Sequence, residues 1–294
     1  MRDNNGPLAV ILPSEEIGGH ETMLLEWLGQ AAARGLEIEI HCRAGSELIL
    51  MAAAADIPTR EIRYPTPAAR GWTSGSQNLR AAIIAVKRLP RSQPVLLAPG
   101  AMQAALTYLA ACVVFRRRIV CYVPFVHDGR TLGFKRPRVR DWVTRMLARQ
   151  VKIWVTITPL HRHGLQQRWG VRSPIFVVAN RLRSLSESPQ IAREHADALP
   201  LRVLYLGRFD AFQKGLDWLL SVLEAKPEWA SPMHFTFQGR GGYMERLRTL
   251  TAGGSSTAVT IAPWGNAGTA LGCADVLLIC SRFEGFPLVA IEAL

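Results

Sequence analysis

The chain has 294 residues, enough for about two domains, and 49% of them are apolar, so each domain can bury a core. Its 35 basic and 23 acidic residues give a net charge of +12. The five cysteines are odd in number and form no CxxC pair, which argues against a disulfide framework and favours a reduced, cytosolic protein. Residues 1–5 lead directly into an apolar run, so no signal peptide is predicted.

The first half of the sequence alternates short apolar runs with helical stretches. Alternation at this spacing predicts a parallel sheet covered by helices on both faces. The apolar stretch 95–115 is interrupted by Pro99 and Gly100, which indicates a strand and a buried helix rather than a membrane span. The predicted strands are 8–12, 37–42, 94–98, 119–123 and 153–158, and the predicted helices are 20–34, 101–114 and 139–150.

A polar stretch over 182–200, rich in turn-forming residues, predicts a linker between an N-terminal domain of residues 1–182 and a C-terminal domain of residues 183–294. The α/β pattern then restarts. We expect 274–280 to form a buried parallel strand and Pro287 to be the first residue of a final helix. Because the sequence stops within that helix, we expect the second domain to be truncated. The other predicted strands are 202–206, 234–238 and 259–262, and the other predicted helices are 215–225, 243–251 and 266–273.

Positive charge is concentrated in the first domain. Residues 1–182 hold 25 basic and 12 acidic residues, and residues 116–152 alone hold eleven basic and two acidic ones. Such a patch attracts anionic groups such as lipid headgroups or phosphorylated substrates. Nucleic acid is disfavoured because no aromatic-interleaved binding motif accompanies the charge. A solvated face of an arginine-rich protein is the alternative.

The most informative motif follows the last predicted strand. Glu284 and Glu292 bracket a turn that contains Pro287. A strand, a tight turn and a helix start together make an anion site, and a carboxylate can accept hydrogen bonds from two sugar hydroxyls. An ordinary helix start with nearby acids is the alternative.

Three further motifs follow predicted strands. Arg208 and Lys214 lie in the loop 207–215, after a predicted strand and before a predicted helix, where two fixed cations could bind an anion; a loop with two solvated bases is the alternative. Gly18 and Gly19 precede the first helix and would let backbone approach a phosphate or sugar, but they lack the dinucleotide-binding spacing. His127 lies just beyond a strand, at the edge where open α/β sheets bind ligands. His161 and His163 are interpreted as surface residues.

Together these motifs resemble glycosyltransferase family 4, the retaining glycosyl transferases group 1 with the GT-B fold. The resemblance implies that Glu284 and His127 contact the transferred sugar and that Glu292 holds the nucleotide ribose. Arg208 and Lys214 would neutralise the donor diphosphate. The catalytic set would thus be Glu284, His127, Arg208 and Lys214. The remaining donor contacts that it implies come from Gly285, Phe286, Leu288, Gly18, Gly19 and Gly239.

The fold class implied is α/β, with two facing Rossmann-like domains of which the second is incomplete. The N-terminal domain would bind the acceptor and the C-terminal domain the nucleotide sugar. The implied reaction is retaining, metal-independent transfer of a hexose from a UDP- or GDP-linked sugar to a saccharide or lipid-linked acceptor. No cofactor is expected beyond the donor, and no DxD triplet occurs.

The implied setting is bacterial cell-surface glycan synthesis in the cytoplasm, with peripheral binding to an anionic inner membrane face. One alternative is an inactive truncated fragment or a non-catalytic nucleotide-sugar-binding protein. A second alternative is a sugar-nucleotide 2-epimerase, which would need no acceptor.

Overall fold

The computed structural model describes residues 6–14, 18–62, 72–181, 200–225, 228–252 and 258–294, with side chains from 79 onward in the third range. The chain forms two compact units, Met1–Asn180 and Arg181–Leu294. The predicted linker over 182–200 lies almost entirely outside the described residues.

The N-terminal unit is built on a parallel sheet of seven described strands in the order β3-β2-β1-β4-β5-β6-β7. The strands are β1 (Leu8–Leu12), β2 (Ile38–Arg43), β3 (Thr59–Ile62), β4 (Val95–Leu97), β5 (Ile119–Tyr122), β6 (Ile153–Thr156) and β7 (Ile175–Val177). The helices are α1 (Gly19–Ala33), α2 (Leu48–Ala54), α3 (Trp72–Lys87), α4 (Leu106–Val114), α5 (Pro137–Ala148) and α6 (Pro159–Trp169).

The sheet of this unit is buried on both faces, as its apolar strands predict. In β1, Ala9 and Ile11 belong to a core cluster with Leu109 of α4 and Leu165 of α6. Val10 and Leu12 belong to a second cluster with helices α1 and α2. Successive side chains of a strand point to opposite faces of the sheet. The two cores therefore lie on opposite faces, and β1 contributes side chains to both.

The C-terminal unit has four described parallel strands in the order β10-β9-β8-β11. Its core joins Tyr205 and Phe237 of the sheet to Leu220 of α7 and Leu247 of α8. The strands are β8 (Leu201–Leu206), β9 (Met233–Gln238), β10 (Ala258–Ala262) and β11 (Val276–Leu277). The helices are α7 (Leu216–Glu224), α8 (Met244–Ala252), α9 (Ala267–Gly272) and α10 (Leu288–Ala293).

Three predicted elements differ from the structure. The helix predicted over 101–114 begins as a short 3-10 turn, Met102–Ala104, and then breaks at Ala105 before α4. The strand predicted over 274–280 shrinks to β11, where Val276 is 40% exposed. Among the described strands β11 pairs only with β8, so its other side lacks a neighbouring strand. Pro287 is the N-cap of α10 rather than its first residue.

The apolar stretch 95–115 folds as the sequence predicts, into β4 and the largely buried helix α4. In the described part of the chain, no helix combines the length and the apolar character needed to cross a membrane.

Arg117 has a structural role that its place in the basic segment conceals. Its side chain is buried, and its guanidinium donates to the carbonyls of Pro90 at 2.6 Å, Val86 at 2.9 Å and Leu89 at 2.7 Å. These carbonyls belong to the end of α3 and the turn after it, where helix carbonyls lack intrahelical partners. Arg117 therefore caps α3 and does not contribute to a surface patch.

We predict that Arg117→Ala lowers the free energy of unfolding by about 3 kcal/mol, because three carbonyls, two of them in buried hydrogen bonds, lose a charged donor. Urea denaturation followed by circular dichroism measures the change. Arg118→Ala is the matched control, since the neighbouring Arg118 is exposed and its loss should cost less than about 0.5 kcal/mol. Equal effects of the two substitutions would contradict the capping role.

Candidate functional site

The candidate site lies where β8 and β9 end, at the carboxyl edge of the second sheet. The loops that follow these strands are hydrogen-bonded to each other: Gly207 N donates to Gln238 O at 3.1 Å and Phe209 N donates to Arg240 O at 2.8 Å. A Cβ added to Gly239 would lie 1.9 Å from Gly207 O. Only glycine therefore lets the second loop approach the first so closely.

The loop 207–215 is held by its own polar groups. Asp210 Oδ1 accepts from Gln213 N at 2.7 Å and from Lys214 N at 3.4 Å, a turn in which an aspartate bonds backbone a few residues on. Tyr205 Oη donates to Arg208 O at 2.7 Å, and burial raises the pKa of Tyr205. Arg208 Nη2 donates to Gln213 Oε1 at 2.8 Å. The backbone around both predicted cations is thus fixed.

The loop after β11 packs backbone to backbone against this turn. A Cβ on Gly215, whose φ is +67°, would lie 2.2 Å from Cys280 O. Cys280 Sγ donates to Lys214 O at 3.1 Å and Arg282 N donates to Gln213 O at 2.8 Å. The Arg282 guanidinium also bonds both carboxylate oxygens of Asp217 in α7, at 2.7 and 2.8 Å.

This packing joins two predicted site residues directly. Lys214 Nζ lies 2.5 Å from Glu284 Oε1, and the two side chains are 21% and 18% exposed. Ser281 Oγ donates to the same carboxylate oxygen at 2.6 Å. The structure therefore brings together a cation expected to bind diphosphate and a carboxylate expected to bind sugar hydroxyls, and it neutralises each with the other.

The remaining C-terminal residues predicted for the site lie on the same loop or on α10. Gly285 is half-buried, Phe286 is 45% exposed, and Leu288 is the first residue of α10. Glu292 lies on α10 and is half-buried. None of the six residues of α10, all of which are described, is buried.

In the N-terminal unit, Gly18 and Gly19 lie at the start of α1, at the carboxyl end of β1. The Gly18 amide donates to Glu21 Oε2 at 2.9 Å, so the chain's own buried carboxylate takes a helix N-terminal donor. His20 Nε2 lies 3.1 Å from Ala98 O, and its ring stacks on Tyr122 with centroids 4.9 Å apart. The glycine pair is thus anchored to the ends of β4 and β5.

His127 lies in the loop after β5, which Asp141 of α5 holds in place. Gly129 N donates to both carboxylate oxygens of Asp141, at 2.9 and 3.0 Å. Gln103 Nε2 donates to His127 O at 2.8 Å and to Asp141 Oδ1 at 3.1 Å. The position of His127 is therefore set by α5 and by the turn that precedes α4.

The interpretation of His161 as a surface residue is wrong, although His163 is exposed as predicted. His161 is buried at the start of α6, and its ring centroid lies 6.2 Å from that of His127 in an edge-to-face contact. Burial, with a smaller contribution from His127, lowers the pKa of His161 to about 4. The contact with His127, which lies 34 residues earlier, was not visible in the local sequence.

Two contacts at the candidate site were not predicted from the sequence. Ser281 bonds Glu284 and Gln213 bonds Arg208. For the first contact the available signal was the spacing of three residues between Ser281 and Glu284, which is that of a capping box.

Two parallel α/β units with polar loops at the carboxyl edges of their sheets define the GT-B class of folds. The chain is similar to the structure of Anabaena Alr3699/HepE in complex with UDP and glucose, at 15% identity, 97% coverage of this chain, 78% of that chain and a TM-score of 0.70. For the apo lipopolysaccharide outer core galactosyltransferase WaaB the values are 16%, 97%, 77% and 0.58. For sucrose-phosphate synthase from Thermosynechococcus elongatus they are 17%, 97%, 78% and 0.65.

The C-terminal unit belongs to the glycosyl transferases group 1 family, whose sequence profile matches residues 200–294. No curated protein sequence matches the chain significantly. The family predicted from the motifs is therefore confirmed over residues 200–294, which form a glycosyltransferase domain.

We predict that Gly215→Ala costs on the order of 2 kcal/mol of stability, because alanine is strained at positive φ and its Cβ meets the Cys280 carbonyl. Thermal unfolding measures the loss. Gly242→Ala is the matched control in the same unit, since a Cβ there meets nothing within 4 Å. If both variants unfold at the wild-type temperature, the close packing of the two loops is contradicted.

His161 should make the protein less stable in acid. Its folded pKa of about 4 lies below the ordinary value of 6.5, so between these two values the unfolded chain binds a proton that the folded chain does not. The free energy of unfolding is therefore unaffected above pH 6.5 and falls as the pH drops towards 4, by on the order of 2–3 kcal/mol.

The measurement is urea denaturation at pH 7, 5.5 and 4.5 for wild type, His161→Gln and His163→Gln. The first substitution should flatten the decline in acid, while the second, at an exposed neighbour, should leave it unchanged. An identical pH dependence in all three proteins would count against the buried neutral imidazole.

Proposed function

We propose that the chain is a retaining glycosyltransferase that moves a hexose from a UDP- or GDP-linked sugar to a hydroxyl acceptor without a metal ion. The single observation that carries the proposal is the ion pair between Lys214 and Glu284, within a unit that belongs to the glycosyl transferases group 1. It joins a cation and a carboxylate of the two types that this reaction requires.

On binding, the donor would break this ion pair and contact each of its members. Its diphosphate would accept hydrogen bonds from Lys214 Nζ and from Arg208, whose guanidinium now bonds the neutral amide of Gln213. Glu284 would then accept from sugar hydroxyls, with Ser281 still bonded to it. Bonds that involve a charged partner are the stronger class, so the exchange replaces one ion pair with several charge-assisted bonds.

The chemistry follows from where charge develops. Cleavage of the sugar–phosphate bond leaves negative charge on the nucleoside diphosphate, and prearranged cations stabilise it without further reorganisation. Arg208 and Lys214 would provide that stabilisation, while Glu284 and His127 orient the sugar and Glu292 holds the ribose. Gly285, Phe286, Leu288, Gly18, Gly19 and Gly239 would complete the donor contacts.

We assign acceptor binding to the N-terminal domain and nucleotide-sugar binding to the C-terminal domain, with the boundary at residue 182. A saccharide or lipid-linked acceptor at a membrane would place the enzyme in cell-surface glycan synthesis, on the cytoplasmic face. The name of WaaB, a lipopolysaccharide outer core galactosyltransferase, supports this setting by analogy of fold.

Isothermal titration of UDP and GDP tests donor binding. UDP comes first because the Alr3699/HepE structures were solved with UDP and with UDP-glucose. Lys214→Gln should weaken the binding of the preferred nucleotide at least about tenfold, since one charge-assisted bond is lost. Arg248→Gln is the control, because Arg248 is an exposed cation on α8 that pairs only locally with Glu245.

The products then separate the alternatives. A transferase needs an acceptor for turnover, whereas a sugar-nucleotide 2-epimerase converts the donor alone, which mass spectrometry and proton NMR of the sugar would detect. Failure of every nucleotide to bind a chain that circular dichroism shows to be folded would overturn the proposal and favour a non-catalytic protein.

A further inference from the structure

Helix α5 presents a solvent-exposed face that combines apolar and basic side chains. Val139 is 59% exposed, Trp142 63% and Met146 48%, although large apolar side chains are usually among the most buried. Arg138, Arg145 and Arg149 are exposed on the same helix or at its end. We call these six residues the α5 face.

The six residues of the α5 face lie on two adjacent sides of the helix. At 100° per residue, Arg138, Arg145 and Arg149 fall within about 40° of one another. Val139 and Met146 fall roughly 80–100° from Arg138, and Trp142 lies between the two groups. A basic flank therefore runs beside an apolar flank, with the amphipathic indole at the boundary.

The acidic residues of this region are engaged in hydrogen bonds and an ion pair. Asp141 accepts hydrogen bonds from Gly129 N and Gln103 Nε2. Asp128 pairs with Arg168 at 2.8 Å and accepts from Thr131 N, and these bonds lower its pKa. These are the two acids among residues 116–152, so the charge left facing solvent on α5 is positive.

The α5 face is also close to the candidate site of its own unit. Asp141, on the buried side of the helix, holds the loop that carries His127 through the Gly129 amide. Arg138 and Val139 lie in the first turn of α5, at the end of the helix nearest that loop. A flat surface bound to α5 would therefore lie beside the carboxyl edge of the sheet.

We propose that the α5 face docks the protein on an anionic lipid bilayer, with Trp142, Val139 and Met146 entering the headgroup region and Arg138 and Arg149 pairing with lipid phosphates. Tryptophan is favoured at the boundary between water and lipid because its ring is apolar and its N–H is polar. An amphipathic helix with arginines beside large apolar residues binds in this manner. Charge alone would suit a nucleic acid equally, but exposed Val139 and Met146 would then remain in water.

The test uses the full chain, without donor or acceptor, so its result is independent of the proposed transfer activity. Vesicles of phosphatidylcholine alone and with 30% phosphatidylglycerol are sedimented with the protein at low and high salt. We expect binding to the anionic vesicles only, weakened by salt. Arg138→Gln/Arg149→Gln should weaken it roughly 30-fold, at about fivefold per arginine, and Trp142→Ala about tenfold.

The control substitutions remove an exposed tryptophan and an exposed arginine from the C-terminal unit. Trp229→Ala removes a tryptophan that is 55% exposed, and Arg248→Gln removes an exposed arginine, 62% accessible; neither should change vesicle binding. Vesicles with brominated acyl chains should quench tryptophan fluorescence in wild type and in Trp229→Ala, and much less in Trp142→Ala.

Equal binding to neutral and anionic vesicles would overturn the proposal, as would unchanged binding or quenching in Trp142→Ala. Retention on a DNA duplex as tight as on anionic vesicles, and insensitive to Trp142→Ala, would overturn it in favour of a general polyanion surface. Because all substituted side chains are exposed, circular dichroism should show an unchanged fold in every variant.

Discussion

The candidate site depends on one close backbone contact, between Gly215 at the start of α7 and the carbonyl of Cys280 after β11. A side chain at Gly215 would leave too little room, so the two loops can meet only because this position is glycine. The Arg282–Asp217 pair and the Cys280–Lys214 bond then fix the loops in register. As a result Lys214 and Glu284, 70 residues apart in sequence, lie 2.5 Å apart.

The ion pair between Lys214 and Glu284 has two opposite effects on the binding of an anionic ligand. The lysine is already positioned, so little side-chain entropy remains to be lost when an anion binds. The same lysine is neutralised by Glu284, so an anion must first displace a carboxylate. A ligand that offers hydroxyls to Glu284 as well as an anion to Lys214 satisfies both groups, whereas a simple phosphate satisfies only one. If the donor binds as proposed, the ion pair would favour a sugar nucleotide over inorganic phosphate.

The sequence predicted the parts of the fold that local pattern determines. The strand runs of β1, β5, β8 and β9 are apolar and short, and their α/β alternation leads to parallel sheets. The prediction from sequence failed where contacts between distant segments determine the structure. Residues 274–280 are largely apolar, yet only two of them form a strand. Helices α2, α3 and α6 and strands β3 and β7 were not predicted; α2, β3 and β7 are short, and α6 is polar.

The candidate site shows the same division. Arg208, Lys214 and Glu284 follow predicted strands, and parallel strands end at one edge, but their roles were predicted only from the family resemblance. The burial of His161 and the capping by Arg117 depend on packing between segments that are distant in sequence, which local residue spacing does not reveal. The basic segment was counted correctly, but one of its eleven basic residues, Arg117, is internal and does not contribute to a surface patch.

Some charged side chains of the N-terminal unit are bonded inside the unit, whereas others are exposed on α5. Arg117 is buried under α3, Asp141 holds the His127 loop, and Asp128 is paired with Arg168. Each of these groups satisfies backbone or side-chain partners within the unit. Arg138 and Arg149 are exposed beside Trp142, which is itself 63% exposed. An exposed indole costs free energy that burial elsewhere would have recovered, so a surface that covers it accounts for its position better than the fold alone does.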